Sequence, residues 1–161
     1  MSLGVFADEE FYRIRDLPRR DPHWPAEKEA EAVELLSEHF RTASGAMRLK
    51  PIQARALCEA NDADALLAEI GAGMGKTLIT ALVPTLWSAQ RGLLLVPAHL
   101  RQQTIDEWEK LAKHWRLLPL YDLDPGAVVG PHMRILSYQS LSTVRFARFL
   151  DEYQPDVIIA D

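Results

Sequence analysis

The segment Gly71-Ala72-Gly73-Met74-Gly75-Lys76-Thr77 carries the most chemistry for its length. Its glycines let the backbone take positive φ and approach a ligand without Cβ interference. A glycine-rich turn that feeds directly into a helix points several N–H groups at one spot, where the helix dipole adds its positive end. That combination is an anion site. Lys76 would reach the β- and γ-phosphates of a nucleotide, and the Thr77 hydroxyl would ligate Mg²⁺. The pattern G-x-x-x-x-G-K-[ST] asks for glycine at position 70, where this chain has Ile70. The competing reading is a glycine-rich turn that simply caps a helix.

Such a loop needs a strand in front and a helix behind. Ala65–Ile70 (ALLAEI) reads as that strand and Lys76–Gln90 as the helix, with a kink or early break expected near Pro84. Gly92–Val96 (GLLLV) is a continuous apolar run, as in a strand buried on both faces. Leu100, Thr104, Trp108, Leu111 and Trp115 recur at helical spacing and form one apolar stripe. Residues 117–132 hold three prolines and two glycines around Val128 and Val129, which predicts a strand and loops. Met133–Ser137 is a further strand, Leu141–Tyr153 a helix, and Asp156–Ala160 a last buried strand. Upstream, a short helix covers Ile52–Glu59. Residues 26–42 read as an amphipathic helix, with Pro25 at its start, Glu27, Glu29 and Glu31 in its first turns, and Val33, Leu36 and Phe40 as its stripe. Thr42, Ser44 and Gly45 stop it. Pro18, Pro22 and Pro25 leave residues 1–25 irregular.

The order of elements predicts an α/β fold, a parallel sheet with helices on both faces. Residues 1–46 form an N-terminal extension and 47–161 the α/β domain. Length, at 161 residues, fits one domain. A net charge of −5 excludes a polycationic nucleic-acid glove, so any contact with a phosphate backbone must come from a local patch. The acidity is concentrated at the front: residues 1–45 hold 10 Asp and Glu against 6 Lys and Arg. The one cysteine, Cys58, cannot form an internal disulfide and reads as a small packing residue. Neither a secretory signal nor an apolar run long enough for a membrane span is visible, so a cytoplasmic protein is expected.

Several further segments, taken with the glycine loop, resemble the superfamily 2 helicases and translocases, in particular their SWI/SNF-like branch. LAEIGAGMGKTL is similar to that superfamily's nucleotide-binding loop. Leu49-Lys50-Pro51-Ile52-Gln53 resembles its "L-R-P-Y-Q" signature, which makes Gln53 a candidate reader of the adenine edge. Leu95-Val96-Pro97-Ala98-His99-Leu100, followed by Gln103 and Trp108, resembles the "V-P-x-x-L-x-x-Q-W" block. Ile135-Leu136-Ser137-Tyr138-Gln139 resembles "I-x-S-Y-x-x-L". The likeness implies nucleic-acid contacts at Pro97, His99, Gln103 and Tyr138, with Arg101 as an assistant. Pro155–Asp161 looks like the strand of the second nucleotide motif, which gives Asp161 the task of holding the Mg²⁺ shell.

The resemblance therefore implies a RecA-like P-loop fold over residues 47–161, ATP and Mg²⁺ as cofactors, and Lys76 and Asp161 in catalysis. It implies double-stranded DNA and the second RecA-like lobe of a longer chain as partners. In that family the water-activating glutamate stands directly after the position of Asp161, and a central strand and the second lobe's arginine fingers come later, so these 161 residues alone are expected to be inactive and marginally stable. Three functions are compatible with these residues: a DNA-translocating ATPase, a non-catalytic nucleotide-binding regulator, and a small P-loop kinase. The absence of an arginine cluster after Lys76 counts against the kinase.

Overall fold

The computed structural model describes residues 12, 16, 24–68, 70–71, 73–122 and 128–161. Among them, four parallel strands form one sheet: β1 (Arg91–Val96), β2 (Leu120–Tyr121), β3 (His132–Ser137) and β4 (Val157–Ala160), in the order β2-β3-β1-β4. The helices are α1 (Ala26–Phe40), α2 (Pro51–Ala63), α3 (Lys76–Leu86), α4 (Arg101–Ala112) and α5 (Val144–Tyr153). Short 3₁₀ turns at Ala98–Leu100 and Tyr138–Ser142 follow β1 and β3. The chain is thus α/β with an all-parallel sheet.

The apolar run of β1 is split between two layers by the alternation of a strand. Leu94 and Val96 pack with Ala81 of α3, Trp108 of α4 and Ile135 of β3. Leu93 and Leu95 turn to the opposite face, against Leu136, Tyr153 and the aromatic side of α5. Helices cover both faces, which is why the run carries no polar residue. Gly92 sits where β1 presses on its neighbours, since a Cβ there would collide with Met133 of β3 and crowd Val157 of β4. The Tyr153 hydroxyl donates to the Gly92 carbonyl at 2.9 Å, and burial pushes this phenol up to about 12.

A third apolar cluster ties the front of the chain to the glycine loop's helix. Val33 and Phe40 of α1, Leu57 and Ala60 of α2, Ile79 and Leu82 of α3, and Trp115 share it. The Leu49 N–H donates to the Ser37 hydroxyl at 2.9 Å, so α1 also fixes the entry into α2. Arg116 N–H donates to the Phe40 carbonyl at 2.7 Å and anchors the other end of α1.

Four expectations need correction. The last strand is not buried: β4 is an edge paired only with β1, so Val157 is covered while Ile158 and Ala160 are exposed. Ala65–Ile70 is not a strand among its described residues and pairs with nothing in the sheet. Its apolar composition suited a strand, but β4 is paired only with β1, and Leu67 is left fully solvent-exposed. Val128 and Val129 are also outside the sheet, whose strand in this region is Leu120–Tyr121. The stripe from Leu100 to Trp115 spans more than one element: the helix ends at Ala112, and buried Trp115 makes an antiparallel bridge with Arg41. The predicted break at Pro84 is found. Helix α3 stops at Leu86, Ser88 takes positive φ, and Ala89 N–H closes onto the Pro84 carbonyl at 2.9 Å. The irregular reading of 1–25 falls almost wholly outside the described residues.

Candidate functional site

The register of the sheet gathers the predicted residues at one edge. Val96 pairs with Ser137 and Leu95 with Ala160, so Pro97, Tyr138 and Asp161 all leave the carboxyl ends of adjacent strands together. In open parallel sheets that edge is where ligands bind. Asp161 is held there by backbone: its N–H donates to the Leu95 carbonyl at 3.0 Å, and its carbonyl accepts from the Tyr138 hydroxyl at 3.0 Å. Tyr138 is thereby used to fasten the end of β4, a packing task. His99 and Gln103 are exposed on the turn and helix that follow half-buried Pro97, and Arg101 is paired with Asp122.

The glycine loop keeps its bend. Gly73 has φ +75° and Gly75 φ +80°, both in the left-handed region that glycine enters without strain. Gly75 is the N-cap of α3, and no side chain caps that helix. The Leu78 N–H closes onto the Gly75 carbonyl at 3.2 Å, which leaves the N–H groups of Lys76 and Thr77 as those without an intrahelical acceptor at this helix start. The Lys76 ammonium folds back to donate to the Ile70 carbonyl at 3.2 Å, and Thr77 is half-buried beside it in sequence. Ala72 lies outside the described residues.

Gln53 is 4% exposed, and its amide is engaged at both ends. Oε1 accepts from the Lys50 N–H at 2.8 Å, while Nε2 donates to the carbonyls of Met74 at 3.1 Å and Gly75 at 3.2 Å. Lys50 adds a second strap, its ammonium donating to the Gly73 carbonyl at 3.3 Å. The signal for the first of these contacts is in the sequence: Lys50 is the N-cap, Pro51 occupies N1 and Gln53 is N3, the position from which a glutamine reaches back to the N-cap N–H. The reach to Met74 and Gly75 is long-range and has no such signature.

Lys76 and Asp161 line one cavity of about 730 Å³, which runs between residues 64–68 and 70 with α3 on one side and β4 on the other. Its remaining walls are mostly apolar, with Ile79, Val83 and Ile159 among them. At the far end, Asp156 accepts the N–H groups of Gln90 and Arg91 at 2.8 and 2.9 Å. Partial burial acts to raise this carboxyl, but those two backbone donors prevail and hold it below its ordinary range. Among the described residues no three His, Cys, Asp or Glu side chains come together as a metal-binding group, and no helix is long and apolar enough to cross a membrane. No protein-family model, curated protein or solved structure matches the chain.

Proposed function

We propose that the chain binds Mg²⁺-ATP through a RecA-like phosphate loop and is the nucleotide-binding part of a superfamily 2 translocase that moves on double-stranded DNA. The observation that carries the reading is the meeting of Lys76 and Asp161 on one cavity, with the glycine bend at the start of α3 and Asp161 at the carboxyl edge of the sheet. Two left-handed glycines and an uncapped helix start supply the donors a polyphosphate requires. Lys76 would exchange its contact with the Ile70 carbonyl for phosphate oxygens. A charge-assisted bond to phosphate is stronger than the neutral acceptor it replaces.

Mg²⁺ characteristically takes one or two protein oxygens and completes its shell with phosphate oxygens and water. The Asp161 carboxylate, on the cavity wall, would be one such oxygen; the Thr77 hydroxyl, outside that lining but next to Lys76 in sequence, would be the other, and the ion would neutralise charge developing on the β- and γ-phosphates. The turn after β1, with Pro97, His99 and Gln103 at the same edge, is the surface this reading gives to the DNA backbone. Phosphate contacts of that kind position the duplex and leave its sequence unread.

The test is titration calorimetry with Mg²⁺-ATP on the wild-type chain and on Lys76→Ala. Loss of the ammonium should lower affinity by at least about tenfold, the worth of one charge-assisted hydrogen bond. Equal affinity in the two proteins would remove the phosphate-loop assignment. Fluorescence anisotropy with a labelled duplex, comparing wild type with His99→Ala/Gln103→Ala, tests the DNA surface. The double variant should bind more weakly at low salt.

A further inference from the structure

We infer that Gln53 is a positioning residue for the phosphate loop, holding the Met74–Gly75 backbone in its bent form, and does not select the base. The inference rests on the phosphate reading above and deepens it. A carboxamide can use one oxygen and two N–H donors, and here the oxygen is taken by Lys50 N–H while the nitrogen bonds two loop carbonyls. At 4% exposure the group has no free face to offer an adenine edge. Gly75 belongs to the same device. Its left-handed backbone (φ +80°, ψ 44°) sets the bend, its carbonyl accepts Leu78 N–H as well as Gln53 Nε2, both at 3.2 Å, and a Cβ at that position would collide with the Gln53 nitrogen.

The chemistry of the two carbonyls explains why the hold matters. A carbonyl left facing the phosphate would repel it, whereas one turned toward Gln53 Nε2 is both satisfied and withdrawn. Turning the carbonyls one way sends the intervening N–H groups the other, toward the site. Helix α2 therefore sets the loop's readiness before any ligand arrives, which lowers the ordering cost of binding.

Gln53→Glu is the informative variant. It keeps the shape and the acceptor for Lys50 N–H but places a second oxygen against two carbonyls. Far-ultraviolet circular dichroism and thermal melting establish that the variant folds, and Gln53→Ala serves as the second variant. Two probes are titrated in the presence of Mg²⁺: ATP and inorganic tripolyphosphate, which has no base. Both should weaken by a similar factor, about tenfold for two lost hydrogen bonds. Hydrogen exchange followed by mass spectrometry should accelerate in peptides spanning 70–77 and stay unchanged in peptides spanning 91–96. Weakened ATP with unchanged tripolyphosphate would establish base reading and overturn the inference, as would unchanged exchange in the loop. Failure of the wild-type chain to bind either probe would instead overturn the phosphate reading on which it rests.

Discussion

Asp156 illustrates how one exposed carboxylate can hold two strands in line. Its oxygens accept the N–H groups of Gln90 and Arg91, and its own N–H donates to the Arg91 carbonyl at 2.9 Å, so the start of β1 and the approach to β4 are fastened together. Because the folded carboxyl titrates below its unfolded value near 3.9, its contribution is present above that value and is lost as pH falls through the folded one. Solvent screening keeps that contribution modest. Asp156→Asn should cost about 1 kcal/mol at pH 7, the net worth of a typical hydrogen bond, measured by urea denaturation. Below pH 4 the gap between the two proteins should narrow as the wild-type carboxyl protonates. A gap that widened on acidification would show that the clamp is not electrostatic.

Strand β1 depends on a close approach that only glycine permits at position 92. Gly92→Ala drives a methyl toward the buried Met133 side chain, and overpacking of this kind costs about 1–3 kcal/mol. The denaturation midpoint should fall with an unchanged slope, and Gly92→Ala/Met133→Ala should not show the sum of the two single losses. The strands β1 and β4 were legible in sequence as short continuous apolar runs, although only β1 is buried along its length, β3 was legible from the Met133 and Ile135-Leu136 apolar positions, and the end of α3 was legible from Pro84. Ala65–Ile70 misled for the same reason. Apolar composition says that a segment wants cover but does not say which edge is free to pair with it. The glycine bend and Lys76 follow from local backbone chemistry and could be read directly. The burial of Gln53 against Met74 and Gly75 depends on contacts more than 20 residues apart and could not.

Across the molecule the sheet is asymmetric: β4 is an edge strand, and no described residue pairs with its outer side. Ile158 is 56% exposed there and a mostly apolar cavity runs alongside. Open, apolar edges are templates for pairing with another chain, and a lysine on such an edge blunts them. Ile158→Lys should therefore reduce concentration-dependent association, read by light scattering, while changing stability by no more than about 0.5 kcal/mol, as for ordinary surface substitutions. Unaltered association would place the sticky surface elsewhere. The opposite flank of the molecule behaves differently. Val33 and Phe40 are wedged among the same side chains as Ile79 and Leu82, while Glu27, Glu31, Glu34 and Glu38 face outward from that helix. Whatever settles on those glutamates therefore rests on the same apolar layer that carries the helix beginning at Lys76.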